Sequence, residues 1–234
     1  MTTNTTPFFE SDISVRMDEK WGSEAKICYT ARVSTGKGSV NEERDAGLIR
    51  RLMLDRHTVP FEHCGYTFWI DSPMTTTRQI LKHRLSSISE TSGRYRELEP
   101  RFYIAAPDRL VKQVGKAMEY NFTPDEHAYV MHAESTQRAN EFAWREYQWQ
   151  LEQGVAKEKA RDVLSPNYYS PLYMSANLGS WLHFLSLRED WGEDARVATH
   201  PQWEISEVAR QIAEHVKRDF PNVWKAFKEN GYSK

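Results

Sequence analysis

The chain has 234 residues, of which 39% are hydrophobic and 27% are charged, and its formal net charge at pH 7 is -2. This length and composition predict one globular domain over residues 1–234 and exclude a disordered chain. The near-neutral charge argues against a nucleic-acid-binding protein, and no apolar run is long enough to span a bilayer.

Two features predict a cytoplasmic protein, in the host cytoplasm if the gene is viral. The first residues have neither the basic nor the apolar region of a signal peptide. The two cysteines, Cys28 and Cys64, are too few for a disulfide framework.

In chain order, the predicted elements begin with a flexible tail over residues 1–10. The stretches DISVRMDEK and AKICYTAR fit either two strands or a strand followed by a helix. NEERDAGLIRRLMLDRH has the apolar spacing of a helix, and the aromatic stretch CGYTFWIDS is typical of a strand. A helix of about three turns is then predicted through MTTTRQILKHR, after a Ser-Pro start signal.

The second half is predicted to be mostly helical. RFYIAA is a short strand, residues 124–153 form one long helix, and AKEKARDVL forms a shorter one. SPLYMSAN alternates as a strand does, and Asn177 can cap the helix LGSWLHFLSLR. A last helix starts at about Pro201. The fold class that follows is α+β.

The stretch KHRLSSISETSGRYRE, residues 82–97, combines basic side chains with hydroxyls and has few large apolar residues. Guanidinium groups, hydroxyls and backbone N–H groups together suit a phosphate or another multivalent anion. Cations that only cap a solvated helix end are the alternative. Because Glu90 lies within the stretch, we expect a small anionic ligand with polar edges, such as a nucleotide.

KHRLSSISETSGRY resembles the Arg-His-Arg, seven-residue gap, Ser motif of the flavin-dependent thymidylate synthases. HTVPFEHCGYTFWIDSP, ARDVLSPNYYSPLYMSANLGSWLHFLSLR and QWEI resemble further segments of that family, in the family's order. Residues 191–200 look like an insertion. The chain departs from the family's usual residues at Val59, Lys82, Ser89, Ser165 and Gly179, where Lys82 and Gly179 each replace an arginine.

The resemblance implies an FAD-dependent methyltransferase that converts dUMP to dTMP. Methylenetetrahydrofolate would be the carbon donor and NADPH the source of hydride, both as co-substrates. It also implies a central mixed or antiparallel sheet surrounded by helices, and a homotetramer with active sites between subunits. The expected partners are therefore small molecules, with no nucleic acid and no membrane.

The resemblance also implies the site residues, among which Arg188 would be catalytic, facing the uracil ring and favouring its N3-ionised form. The residues implied for dUMP are Gln79, Ile80, Leu81, Lys82, Glu90, Thr91, Ser92, Gly93, Arg94, Arg161 and Arg188. The residues implied for FAD are His57, Lys82, His83, Arg84, Glu90, Asn177, Leu178, Gly179 and His183.

Each of three of these residues has a purely structural alternative. Arg161 lies in a charged helical segment that is typical of the surface. Arg188 can satisfy the end of its helix and pair with Glu189 or Asp190. His183 can be a core histidine bonded to a backbone carbonyl.

A metal site is not expected. His57 and His63 match no helix-borne zinc spacing, and on an extended strand they would lie roughly 20 Å apart. Two other functions remain open from the sequence: a pyrimidine-nucleotide hydroxymethylase, and a nucleotide- or RNA-binding module that has lost the flavin.

Overall fold

The structure is a computed structural model that describes residues 6–36, 38–116 and 119–234. The chain divides into two compact units, which we call the long-helix unit and the sheet unit. The long-helix unit comprises Met1–Asp12, Ser72–Thr75 and Thr91–Ser170, and the sheet unit comprises Ile13–Asp71, Thr76–Glu90 and Pro171–Lys234. A single domain over residues 1–234 stays a prediction.

The described residues form an α+β fold, as the sequence predicted. The strands are β1 Phe8–Glu10, β2 Ser14–Trp21, β3 Gly65–Asp71, β4 Ser87–Glu90, β5 Arg101–Tyr103, β6 Lys112–Lys116, β7 Glu119–Thr123 and β8 Leu172–Asn177. The helices are α1 Glu24–Ala31, α2 Glu42–Leu54, α3 Met74–Ile80, α4 Glu126–Glu152, α5 Lys157–Ala160, α6 Leu178–Arg188, α7 Trp203–Asp219 and α8 Pro221–Glu229.

The sheet unit is built on a four-stranded antiparallel sheet in the order β2-β3-β8-β4. Alternate residues of β8, namely Leu172, Met174 and Ala176, are buried, as the alternating sequence pattern predicts. Trp181 of α6 is fully buried and donates its indole N–H to the carbonyl of Tyr66 at 3.2 Å. This packing fixes α6 against the sheet.

Helices α7 and α8 complete the core of the sheet unit. Ile205, Val208, Ile212 and Val216 recur at helical spacing in α7 and are all fully buried. The chain turns after Phe220, and α8 begins at Pro221, a residue that favours the first turn of a helix. Helix α8 packs against α2.

The long-helix unit is organised around α4, whose predicted extent is confirmed. Asp125 caps its first turn by accepting a hydrogen bond from the N–H of Ala128 at 2.9 Å. Trp144 and Tyr147 of α4 pack with Leu98, Phe102 and Ala160 in one buried cluster. Strand β5, which contains Phe102, pairs in parallel with β1.

Four sequence expectations need correction. Phe8–Glu10 pairs as a strand instead of belonging to a tail. Helix α3 ends at Ile80, so it has about two turns and does not include residues 81–84. Ser87–Glu90, for which the sequence predicted no helix or strand, pairs with β8 as β4. Val59–His63 forms a short 3₁₀ helix, so the extended strand assumed between His57 and His63 is wrong.

The structure also decides between the two alternatives for the first elements, since residues 14–21 form a strand and residues 24–31 form a helix. The β6–β7 hairpin and α8 were not expected from the sequence. In the described part of the chain, no helix is long and apolar enough to cross a membrane.

Candidate active site

The junction between β8 and α6 positions several of the expected site residues in the sheet unit. The side-chain oxygen of Asn177 accepts a hydrogen bond from the N–H of Ser180 at 2.8 Å, so its predicted role as a helix cap is confirmed. The N–H of Leu178 donates to the carbonyl of Cys64 at 2.7 Å. These bonds fix the start of α6 beside the turn that contains Glu62.

The last residue of α6 contacts the turn after α3. The Nε of Arg188 donates to the Nε2 of His83 at 3.0 Å, and the ring of His83 lies 4.6 Å from that of Phe184 between centroids. Burial, the charge of Arg188 and His183 lower the pKa of His83 to about 4. His83 is therefore neutral at physiological pH and can accept the bond from Arg188.

Arg188 lies in the last turn of α6, as the structural alternative predicted, but among the described residues it forms no ion pair with Glu189 or Asp190. Instead, Glu189 accepts a hydrogen bond from Ser206 at 2.5 Å and lies 3.5 Å from the Nε of Arg210. Among the residues that the structure describes, no carboxylate forms an ion pair with Arg188. Burial lowers the pKa of Arg188. Arg188 thus presents an oriented, partly buried positive charge that no carboxylate of the described residues compensates in an ion pair.

The neutral state of His83 makes the stability of the chain depend on pH. Between pH 6.5 and about 4, the unfolded state binds a proton at His83 and the folded state does not. The free energy of unfolding should therefore fall as the pH drops through this range. His83→Asn should reduce that slope, which urea unfolding at several pH values measures. An unchanged slope would contradict the assignment, because the other two histidines with lowered pKa values, His183 and His215, are present in both proteins.

The pair formed by Gly179 and Glu62 lies at the start of α6. A Cβ at Gly179, which is buried, would lie 3.6 Å from the Cγ of Glu62 and 3.5 Å from the Oδ1 of Asn177. His183, one turn further along α6, is exposed, so the alternative of a core histidine is wrong. His57 is also exposed and follows the end of α2.

The long-helix unit brings together a second group of expected residues. A Cβ at Gly93 would lie 3.1 Å from the Cδ of Arg161 and 3.2 Å from the Cγ of Leu98, so the arginine stem packs closely on this glycine. The N–H of Arg94 donates to the Oγ of Ser92 at 3.3 Å. The Nε of Arg94 pairs with Glu158 at 2.9 Å.

Arg161 is half-buried, which differs from the solvated surface arginine that its sequence context suggested. No carboxylate within residues 6–36, 38–116 and 119–234 forms an ion pair with its guanidinium. The stem of Arg161 is therefore packed on Gly93, and within the described residues its guanidinium is not neutralised by an ion pair.

The expected residues are divided between the units. The sheet unit contains all those assigned to FAD, and also Gln79, Ile80, Leu81 and Arg188. Gln79 donates to the side chain of Gln202 at 2.7 Å, and Glu90 ends β4. The long-helix unit contains the remaining ones, Thr91, Ser92, Gly93, Arg94 and Arg161.

Three contacts of this region were missed from the sequence: Glu62 beside Gly179, Glu158 on Arg94, and Phe184 against His83. The sequence signal for the contact between Phe184 and His83 is weak, because the apolar pattern of α6 predicts burial in the core for Phe184 and for its apolar neighbours alike. Glu158 is 64 positions from Arg94, and no local pattern connects residues at that separation.

Comparison of the amino-acid sequence with known proteins identifies the family of this chain. The family described as "Thymidylate synthase complementing protein" matches residues 16–222. The chain belongs to this family. Its members include the flavin-dependent thymidylate synthase of Streptomyces avermitilis, which is 39% identical over 96% of this chain and 94% of that protein. The enzyme of the same name from Thermus thermophilus is 37% identical over 92% of this chain and 76% of its own.

Solved structures of the family agree with the fold. The UMP/dUMP methylase PolB from Streptomyces cacaoi, bound with 5-Br UMP, has a TM-score of 0.91 and 37% identity, covering 98% of this chain and 99% of that one. The same protein bound with 5-Br dUMP gives a TM-score of 0.90 and 36% identity over 96% of this chain and 98% of that one. The recognition of the family and the α+β fold are thereby confirmed.

The roles of individual site residues stay predictions. In the described part of the chain, no group of three or more His, Cys, Asp or Glu side chains could hold a metal ion. Because Val59–His63 is a 3₁₀ helix, the distance between His57 and His63 along an extended strand no longer bears on this question.

Proposed function

We propose that the chain catalyses the reductive methylation of dUMP to dTMP, with methylenetetrahydrofolate as the carbon donor, FAD as the flavin and NADPH as the reductant. The observation that carries this proposal is Arg188, an oriented cation held by a neutral histidine and without an acidic partner among the described residues. A thymidylate synthase needs such a group to stabilise charge that develops on the uracil ring.

The residues expected at the flavin fit an anionic, planar cofactor. Lys82 and Arg84 are exposed, and in the described ranges neither forms an ion pair with a carboxylate. They follow α3 directly and can neutralise phosphate groups. Asn177 provides a polar edge beside Gly179, which lacks a side chain, and the rings of His83 and His183 lie 6.3 Å apart between centroids. When bound, the flavin supplies hydride and carries the one-carbon unit, while the protein supplies position and charge.

For the nucleotide, the two arginines would have different roles. Arg188 would act on the ring, because a delocalised negative charge at N3 is stronger in the transition state than in the bound substrate. Arg161 would bind the phosphate, which carries its charge throughout the reaction. Arg94 is partly neutralised by Glu158, so we assign it a positioning role.

No side chain with the properties of a nucleophile is required by this proposal. Both thiols are buried, and burial raises the pKa of Cys28 to about 11 and that of Cys64 above its ordinary value. A buried thiol with a raised pKa has almost no thiolate near neutral pH. Ser92 accepts a hydrogen bond from the N–H of Arg94, which suits substrate binding.

The proposal is tested by incubating the protein with FAD, NADPH, methylenetetrahydrofolate and dUMP, and by determining the mass of the nucleotide product. A gain of one methyl group is the expected result. A hydroxymethyl product would establish the related hydroxymethylase, and no flavin binding with no product would establish a nucleotide-binding module. Light scattering with and without FAD tests the proposed homotetramer, and localisation in the cytoplasm stays a prediction.

A second candidate is the methylation of UMP. The PolB structure that matches this chain with a TM-score of 0.91 is that of a UMP/dUMP methylase bound with a uridine monophosphate analogue. Replacing dUMP by UMP in the same assay decides this question. A methylated ribonucleotide at a comparable rate would extend the substrate class to both sugars.

The residue that follows α3 allows a prediction about flavin affinity. Lys82 stands where the family usually has arginine, and an ammonium group cannot form the two parallel bonds of a guanidinium. We expect Lys82→Arg to tighten FAD binding by up to about tenfold, since one charge-assisted bond contributes about 1.5 kcal/mol. Flavin fluorescence titration measures this. Lys225→Arg, an exposed site on α8, is the control, and equal dissociation constants for all three proteins would contradict the assignment.

A further inference from the structure

A cavity of about 370 Å³ lies in the sheet unit beside His183. Its polar lining includes two cationic side chains, Arg56 and Lys234, and two serine hydroxyls, Ser186 and Ser233. The side chains of His183, Trp191 and Tyr232 also line the cavity. This volume is at the lower end of the range for small-molecule sites, large enough for a phosphate group with part of a nucleoside. None of these four residues is among those expected at dUMP or FAD.

The wall of this cavity is a packed structure built from residues 191–197 and 231–234. The rings of Trp191 and Tyr232 are stacked, with centroids 4.0 Å apart and an interplanar angle of 5°. The indole N–H of Trp191 donates to the carbonyl of Leu185 at 3.1 Å. The backbone N–H of Arg196 donates to the carbonyl of Gly231 at 2.8 Å. The insertion noted in the sequence therefore has a structural role, since it holds residues 231–234 against α6.

Two residues that line this cavity have an unusual backbone conformation. In the described part of the chain, Arg56 and Tyr232 are the only residues other than glycine with positive φ, at 57° and 51°, and both line the cavity. A left-handed conformation is unfavourable for a side chain with a Cβ. Strain of this kind concentrates at functional sites, where the surrounding structure maintains it.

One acidic side chain, Glu62, lies near enough for its charge to act on the Lys234 ammonium of the lining. Among the described residues, no carboxylate forms an ion pair with Arg56 or Lys234. Burial lowers the pKa of Lys234, although the charge of Glu62 opposes this effect. Partial desolvation of the exposed His183 ring and the charge of Lys234 together lower the pKa of His183. An anion bound here would relieve the desolvation of the Lys234 ammonium.

We propose that this cavity binds a phosphate group of an adenine dinucleotide, with Arg56 and Lys234 as counter-charges and Ser186 and Ser233 as hydrogen-bond donors. The inference rests on the proposed function, which supplies two such ligands, FAD and NADPH. Lys234 would thereby provide a cation near Glu62 and Gly179, where the chain lacks the arginine usual in its family. Both ligands contain a phosphate group attached to an adenosine, and this is the group that the cavity would bind.

The test measures equilibrium binding of two probes, FAD and 2′,5′-ADP, by isothermal titration calorimetry at fixed ionic strength. The variants are Lys234→Met and Arg56→Gln, with Lys225→Met as the matched control on exposed α8. We expect the dissociation constant of one probe to rise about tenfold in both cavity variants. In the Lys225→Met control it should equal that of the unaltered protein. Weakened FAD binding assigns the cavity to the flavin, and weakened 2′,5′-ADP binding assigns it to the reductant.

Two results would overturn the inference. One is binding of both probes to both cavity variants within twofold of the unaltered protein. The other is an equal loss in the Lys225→Met control, which would indicate general electrostatics. Thermal unfolding verifies that Arg56→Gln folds, and Lys234→Met alone suffices if it does not. Because binding is measured without turnover, a protein that binds as expected but forms no dTMP would refute the proposed function and leave this inference standing.

Discussion

Arg188→Ala is expected to lower the rate constant kcat for dUMP methylation by about 10²–10³-fold, while the dissociation constant of dUMP changes by less than about threefold. The physical reason is that, in the proposed role, the guanidinium held by His83 stabilises a charge that exists fully only in the transition state. An interaction of this kind affects kcat more than ground-state binding. Steady-state kinetics together with calorimetric titration of dUMP measure both quantities.

Two controls make the Arg188 experiment specific. Arg50→Ala removes an arginine of the same unit that is exposed and pairs with Glu229, and should leave kcat unchanged. His83→Asn keeps a polar group beside Arg188, and we expect a smaller loss of kcat than for Arg188→Ala. A loss of dUMP affinity with normal kcat in Arg188→Ala would refute the assigned role.

Arg161→Ala is expected to raise the dissociation constant of dUMP by about 10- to 100-fold and to leave kcat at saturating dUMP largely intact. A charge-assisted hydrogen bond to phosphate contributes about 1.5–3 kcal/mol, and it is present in the ground state and the transition state alike. Arg161 is half-buried against Gly93 and, in the described part of the chain, has no carboxylate in an ion pair, so its charge is available to a ligand.

The matched control for this prediction is Lys159→Ala. Lys159 lies in the adjacent helix α5, and its exposed ammonium is 3.7 Å from Asp162, so its removal should change dUMP affinity by less than about twofold. Deoxyuridine serves as a second test, because it lacks the phosphate. If Arg161→Ala weakens deoxyuridine as much as dUMP, Arg161 does not bind the phosphate.

The sequence by itself determined the elements whose signals are local. The long helix α4 and the helix α7 follow from apolar spacing, since each buries one face against a core. The end of β8 and the start of α6 follow from alternation and from a cap residue, Asn177. The family also followed from the sequence, because several motifs in a fixed order can be recognised without knowledge of the fold.

The tertiary structure alone decided the elements that depend on distant partners. Ser87–Glu90 lacks a strong strand signal and becomes β4 because β8 offers an edge for pairing. Helix α3 ends at Ile80, and residues 81–86 connect it to β4. Phe8–Glu10 likewise becomes a strand only because β5 lies beside it.

For the site as well, the sequence showed one part of the chemistry and the tertiary structure decided the other. The residue types were visible in the sequence, but the protonation state of His83 was not. It arises from burial and from Arg188, a residue 105 positions away. The cavity beside His183 was also invisible, since it is formed by residues 56, 183–197 and 231–234. Local patterns fix secondary structure through nearest neighbours, whereas contacts between distant residues exist only once the whole chain has packed.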